Sequence, residues 1–277
     1  MGAPLIGSNS RLDTDTTTFT EAAAAGTAEA NITDDRLFTL YKMALSDTSF
    51  QIVTDAGVGN TVDVEYFAMI GHDLDDPETD GLGGTTLVFA QSADGAAFTT
   101  IFTISTVGSS KIIARAGPTV TNRFFRITVT RAAAFKVSIG QLAWGKAVKF
   151  PDGVPVGFDP NEDRIVSRTN VSQTGNLLGT TLQYIERRFE FRLDHVPGSF
   201  VNDATLGGFK NFLENAGELG FPFLIMWNAE NDFTDVVFET DSFWGRLDPG
   251  TLARSLSTQL AVGRRNVGFA VVGLKEL

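Results

Sequence analysis

The sequence predicts a mainly β protein of two modules, and three observations carry that reading. Apolar and polar residues alternate along one stretch after another, helical periodicity is confined to one segment, and a connector rich in proline and glycine divides the 277 residues near their middle. At roughly 100–200 residues per domain, that length accommodates two domains, each with its own core. The connector, residues 146–163, holds Pro151, Pro155, Pro160, Gly153 and Gly157, which assigns residues 1–150 to the first module and 151–277 to the second.

In the first module, residues 121–131 place Phe125, Ile127 and Val129 on one face of a strand and Arg126, Thr128 and Thr130 on the other. Phe135, Val137 and Ile139 repeat the pattern. Residues 87–89 and 101–104 bracket a turn at Ser92-Ala93-Asp94-Gly95, because Asp-Gly between two β-type runs is a hairpin signal. The Ala-rich residues 21–25 amount to one or two helical turns at most. Short strands with glycine-marked turns predict a β-sandwich.

The second module is β with one helix. Ile185, Phe189, Phe191 and Leu193 form the apolar face of a long strand, while Glu186, Arg188, Glu190, Arg192 and Asp194 line the other face with charges of alternating sign. Side chains at i and i+2 are neighbours on a strand, so these five form a ladder suited to a wet surface or a subunit interface. Arg187 interrupts the apolar face. A helix is predicted over about 204–217, with Asp203 or Thr205 as its cap, Leu206, Phe209, Phe212, Leu213 and Ala216 on its apolar face, and Gly217 as its stop. Strands follow at 221–228, 235–244, 256–262 and 267–274, and the helix is expected to cover their sheet.

Composition narrows the function. With 33 acidic against 22 basic side chains the net charge is -11, which opposes counterion-release binding to nucleic acid and docking on an anionic membrane. The absence of cysteine removes disulfides, thiolate metal sites and thiol nucleophiles. His72 and His195 are the only histidines, too few for a His-rich metal centre. Neither a secretory leader nor a spanning helix is expected: residues 1–8 lack a basic start, and the apolar run at 221–227 is far short of roughly 20 residues. No cofactor and no enzymatic activity are expected.

Each candidate site has a structural reading beside its functional one. Asp76, Glu78 and Asp80, followed by Gly81, mimic the opening of a calcium loop, but the closing Glu is replaced by Leu87, and a solvated acidic loop is the simpler reading. His72 and His195 are read as strand-end imidazoles. Gly81, Gly83 and Gly84 lack the Lys-Ser/Thr of a phosphate loop and are read as a turn. Sugar platforms use exposed Trp and Tyr, whereas the aromatics here are mostly Phe, and Trp144, Trp227 and Trp244 sit in apolar strand patterns that place them in core or interface.

Five segments in order resemble the discoidin family, the jelly roll of coagulation-factor C domains and many carbohydrate-binding modules. They are residues 30–41 with Asp34, Asp35, Thr39 and Tyr41, residues 50–57, residues 86–98 with the Ser-x-Asp-Gly turn, residues 124–128, and residues 139–145 with Trp144. Tyr41 and Phe98 stand where the family usually has Trp, and Ala56 replaces Leu. Residues 66–74, from Tyr66 through His72, look like the variant of this domain in bacteriophage tail proteins. The element order of the second module resembles the fold of tail tube and distal tail proteins.

Together the resemblances imply an N-terminal discoidin-like jelly-roll β-sandwich joined to a tail-tube-like β-sandwich or barrel with one helix. The expected function is structural: a virion protein of a phage tail tip or baseplate, forming a homo-oligomeric ring, hexamer or trimer, at the end of the tail tube. Its partners would be copies of itself and other tail proteins, with no sequence-specific nucleic acid and no membrane insertion. Negative charge in the lumen would let DNA slide without sticking. The alternative is a carbohydrate-binding module protein that recognises host surface glycan.

Overall fold

Both the alternating and the continuous apolar stretches fold into strands. The computed structural model describes residues 3–8, 10–34, 36, 39–74, 84–105, 112–151, 163–171, 174, 177–229, 232–233, 241–248, 259–261 and 264–274, with backbone alone for 163–166, 171, 177–178, 181–185, 189, 192–195, 259–261, 264 and 274. The strands are β1 (Ala3–Gly7), β2 (Thr16–Phe19), β3 (Tyr41–Lys42), β4 (Asp47–Asp55), β5 (Val62–Ile70), β6 (Thr86–Ser92), β7 (Thr99–Ile104), β8 (Ile112–Asn122) and β9 (Phe124–Phe135). They continue with β10 (Ser138–Ile139), β11 (Gln141–Gly145), β12 (Val148–Lys149), β13 (Asp163–Val171) and β14 (Leu177–Pro197). Two short helices, α1 (Gly198–Val201) and α2 (Phe209–Phe212), precede β15 (Phe223–Ala229), β16 (Ser242–Leu247), β17 (Gln259–Ala261) and β18 (Arg264–Leu274).

The chain is mainly β, and its first large unit is a jelly roll. A five-stranded antiparallel sheet, β2-β4-β9-β6-β7, faces a three-stranded one, β11-β5-β8, the eight-strand, two-sheet arrangement that limits open edges. The predicted alternation holds here: Phe125, Ile127 and Val129 are fully buried, and β4 contributes Phe50 and Ile52. Between the sheets, Phe67, Phe89, Phe102 and Trp144 pack ring on ring at centroid distances of 5.0–6.2 Å. The predicted hairpin joins β6 to β7 through Ser92–Gly95, with Gly95 at φ 76°. Residues 21–25 form no helix; Ala23 instead bridges Met43.

Strand β5 breaks the two-faced pattern. Its run Tyr66-Phe67-Ala68-Met69-Ile70 is apolar without alternation and buried throughout, as a strand covered on both faces must be. Phe67 and Met69 point into the jelly roll. Tyr66, Ala68 and Ile70, with Ala114, Ala116 and Ala143 of the neighbouring strands, pack against Leu5, Leu224, Met226, Ala229 and Trp244 of a third sheet. Alanines at this seam let two sheets approach closely.

That third, outer sheet runs β12-β1-β15-β16-β18-β14-β13, with β17 added to β18. The first 150 residues therefore supply two of its strands: β1 pairs with both β12 and β15, Ile6 lying opposite Val148 and Ile225. The jelly roll is thus inserted between two strands of the outer sheet, and the chain crosses the seam at both ends of it. Residues 152–162, in the expected connector, lie outside the described residues. Gly7 allows the close approach, since a Cβ there would lie 2.5 Å from the Tyr66 ring. Phe233, from the segment after β15, reaches past Gly117 into the jelly-roll core and stacks on Phe102 at 6.1 Å.

The other face of the outer sheet carries the helices. Phe150, Phe191, Phe209, Phe212, Phe223 and Phe269 form an aromatic layer there, including Phe150–Phe191 at 4.7 Å and an edge-on Phe212–Phe223 pair at 4.9 Å. The helix begins later than its spacing predicts. Asp203 does not cap it: its Oδ1 accepts from Thr205 N and Thr205 Oγ1, closing a local turn instead. Leu206 stays 44% exposed. Helix α2 passes through Gly217 as a π-helical turn over Leu213–Glu218, and Gly220 at φ 72° follows. The predicted strands at 221–228 and 267–274 correspond to β15 and β18; β16 and β17 overlap the other two, whose remaining residues 235–240, 256–258 and 262 lie outside the described residues.

Candidate interaction surface

The sites read from sequence are dispersed. Asp76, Glu78 and Asp80 lie outside the described residues, but the base of their loop is visible. The carbonyl of Leu74 accepts from Arg131 Nη2 and from Thr85 Oγ1, both at 2.8 Å, while Arg131 Nε donates to Thr85 Oγ1 at 2.6 Å. Arg131, 8% exposed and 5.3 Å from the Phe135 ring, therefore ties both ends of the acidic loop to β9. His72 is buried, and its Nδ1 accepts from Leu74 N at 3.4 Å, a structural contact. Of His195 the backbone alone is described. Among the described residues no three His, Cys, Asp or Glu side chains gather to hold a metal, and no helix is long and apolar enough to cross a membrane.

Aromatic placement bears on sugar binding. Trp144, Trp227, Trp244, Tyr41 and Tyr66 are all buried. Burial, then the nearby Glu29 and Glu21, pushes the Tyr41 phenol well above its usual range, and its hydroxyl donates to the Glu21 carbonyl. Phe98 carries the Arg126 guanidinium at 3.8 Å, and Phe124 carries Arg123 at 4.5 Å. Phe221, 48% exposed, is the aromatic ring open to solvent among the exposed large apolar residues. With Trp244, Tyr66, Ser8, Ser10, Asp13 and Thr33 it lines a cleft of about 350 Å³ where the jelly roll meets the outer sheet.

Carboxylates at the jelly-roll surface act as structural acceptors. Asp94 lies below the usual carboxylate range because the amides of Ala96 and Ala97, and then Ser92 Oγ, donate to it. Asp55 is held down by its two-pronged bond to Arg123, at 2.6 and 2.7 Å. Asp63 is held down by Thr121 Oγ1 and then Lys146. A lowered folded-state pKa stabilises above the unfolded value and is lost as pH falls through the folded one. An Asp94→Asn variant is therefore expected to be less stable than the parent at neutral pH. That difference should close as pH drops below the carboxylate range, as urea titrations at several pH values would show.

At the seam, Glu65 is buried and fully engaged. It accepts from Thr119 Oγ1 at 2.5 Å and Ala147 N at 3.1 Å, and pairs with Lys149 at 3.5 Å, whose ammonium also donates to the Gly117 carbonyl. A buried carboxylate satisfied this way binds the two sheets in one register.

The ladder on β14 lies on the same face as the seam, beyond the strip that the jelly roll covers. Arg188 stands opposite Val272 of β18, which stands opposite Arg246 of β16, two residues from Trp244. Arg188 pairs with Glu190 at 2.6 Å and with Asp248 at 3.6 Å, and Glu190 is an exposed rung. Glu186 lies on the same face, half-buried; Arg192, of which the backbone alone is described, stands opposite Gly268 in regular register with them, while Asp194 falls where the register shifts between Leu193 and Val196 and so is not placed in the ladder. Arg187, the interruption of the apolar face, is buried at the sheet margin, where the register puts Asp163 across from it.

Sequence reasoning missed the feature next to the ladder. Strand β18 pairs with β14 from Glu186 onward, whereas β13 pairs with β14 as far as Leu177. Residues 165–171 and 177–185 thus pair as a two-stranded ribbon, an arm that continues past the sheet, with residues 167–170, 174 and 179–180 exposed. Its signals were present: Ile165, Val166, Thr169 and Val171 are strand formers.

No family model matches the chain, and no curated protein matches it. Solved structures similar to part of it include chitosan-binding module 1 of a chitosanase/glucanase from Paenibacillus sp. IK-5, at 17% identity and TM-score 0.37, covering 47% of this chain and 93% of that one. The module CpGH89CBM32-6 of Clostridium perfringens gives 14% identity and TM-score 0.38, covering 49% and 98%. A GH29 fucosidase of Ruminococcus gnavus in complex with fucose gives 15% identity and TM-score 0.38, covering 49% of this chain and 26% of that one.

Proposed function

We propose that the chain is a structural subunit of a larger particle and acts through contacts with copies of itself and with companion proteins. The observation that carries this reading is the arm. A two-stranded ribbon is marginal in water without a third strand or a packed face, and its open backbone edges are a template for pairing. A long ribbon held out from a rigid body is costly for a monomer and useful to an assembly. The rigid seam, the open charged face of β14 and the structural use of Asp55, Asp63, Glu65, Asp94 and His72 support the same reading. The resemblance of the element order to tail tube and distal tail proteins gives the proposal its most specific form, a ring at a phage tail tip. The test is mass photometry and sedimentation velocity of the purified protein. We expect species at multiples of 29.8 kDa whose population falls when Glu190→Arg disrupts the ladder; a strict monomer across the micromolar range would overturn the reading.

A second reading, a glycan-binding protein, is favoured by the cleft around Phe221, whose exposed ring and neighbouring hydroxyls suit a sugar. It requires glycan-array binding that Phe221→Ala abolishes, while the structural reading requires none.

A further inference from the structure

The open part of the outer-sheet face carries its charges in two rows of opposite sign. Arg246, Val272 and Arg188 stand in one row across β16, β18 and β14, because Val272 lies opposite both arginines. Glu190 lies opposite Ala270, whose carbonyl accepts from Asp248 N, so Asp248, Ala270 and Glu190 form the next row. Two residues along a strand separate these rows, about 7 Å. Glu190 is 68% exposed in its side chain and Arg246 is exposed. Within one copy Arg188 bonds across the rows to Glu190 and Asp248, whereas Arg246 has no ion pair among the described residues. Exposed pairs of this kind add little to the stability of a single chain.

Resting on the assembly reading above, we propose that this patch is a two-fold joint between two copies of the chain. Arg188 of each copy meets Glu190 of the other, and Arg246 of each meets Asp248 of the other. The pattern selects this occupant because it is its own complement. A half-turn about an axis parallel to the rows and midway between them sets each cationic row over an anionic one. A partner of one charge sign would meet one attracting row and one repelling row, and a second copy placed without the half-turn would set arginine over arginine. The contact is isologous, the same surface on both sides. Val272, half-buried between the arginines, supplies an apolar middle inside a charged rim. The half-turn reverses the strand direction, and the jelly roll packs on Trp244, two residues before Arg246 on the same face. The two jelly rolls therefore lie at opposite ends of the joint. An isologous joint closes at two copies; within a ring assembly it bonds one ring to another.

The experiment is a complementation between two variants of the full chain. Arg188→Glu makes the β14 side of the patch wholly anionic, and Glu190→Arg makes it wholly cationic. Each alone repels its own kind. In sedimentation velocity each is expected to associate about tenfold more weakly than the parent, with unchanged circular dichroism. An equimolar mixture is expected to recover the association of the parent, because the two altered faces attract one another. Neither variant regains the 188–190 pair within its own chain, so recovery reports contact between copies. Arg246→Glu breaks no ion pair within a copy and supplies an independent measure: association about tenfold weaker supports the joint, and unchanged association overturns it. A mixture as dissociated as either variant alone, while the parent assembles, would overturn the two-fold joint and leave the structural reading standing. A parent protein that is strictly monomeric across the micromolar range would overturn both.

Discussion

Trp144→Ala is expected to cost about 3–5 kcal/mol, the range for truncating a buried large aromatic, and to unfold the jelly roll at markedly lower urea. Trp144 is fully buried on β11, stacked on Phe67 at 6.2 Å and tilted against Phe89 at 5.3 Å. It lies in the three-stranded middle sheet on β11, every residue of which is buried, so no solvent-facing side is at hand into which the void could collapse. The indole N–H adds a discriminating detail, because it is buried without an acceptor among the described residues. Trp144→Phe removes that unsatisfied donor while keeping most of the ring, so its cost should stay under about 1.5 kcal/mol. Urea denaturation followed by circular dichroism checks both; equal losses for Ala and Phe would show that the indole volume is not what holds the layers.

Deleting residues 1–7 is expected to be comparably severe, and in a different place. Leu5 and Ile6 are almost fully buried, and each contributes roughly 1.5–3 kcal/mol by its burial. Loss of β1 also detaches β12 and turns β15, whose Leu224, Ile225 and Met226 are buried, into a bare edge. The truncated chain should therefore unfold in two steps, the outer sheet first with binding of a hydrophobic dye and the jelly roll later. A single transition at the parent midpoint would mean that β1 is dispensable and that the seam does not depend on it.

Particular elements show how much of this was legible in sequence. Strands with one wet face, such as β9 and the sheet-bound part of β14, announce themselves, because each residue's side of the sheet fixes its polarity. The Ser92–Gly95 turn is equally readable, since Asp94 and Gly95 satisfy the local backbone without distant help. The shared face of Glu186, Arg188 and Glu190 was readable for the same reason, whereas the shift of register after Leu193, which takes Asp194 out of step, carries no sequence signal. The helix was misplaced at its start: Asp203 has the composition of a cap, but its carboxylate serves the turn at Thr205. The arm was missed because its formers, Ile165 to Val171, give no sign of where the rest of the sheet stops. The candidate calcium loop was legible as acidic spacing alone; what the structure adds is Arg131 tying its base.

The sequence by itself determined that this is a β protein poor in reactive side chains, with a readable charge ladder and a jelly-roll order of segments, because period-2 patterning and turn chemistry act between near neighbours. The tertiary structure alone decided that the first strand belongs with the last sheet, that β5 is covered on both faces, and that the pairing of β13 with β14 continues past the edge of the rest of the sheet. Those features depend on pairings between residues distant in sequence, such as Ala3 with Ala229 and Glu186 with Leu274. No local pattern encodes such pairings, since only the burial gained on contact selects them.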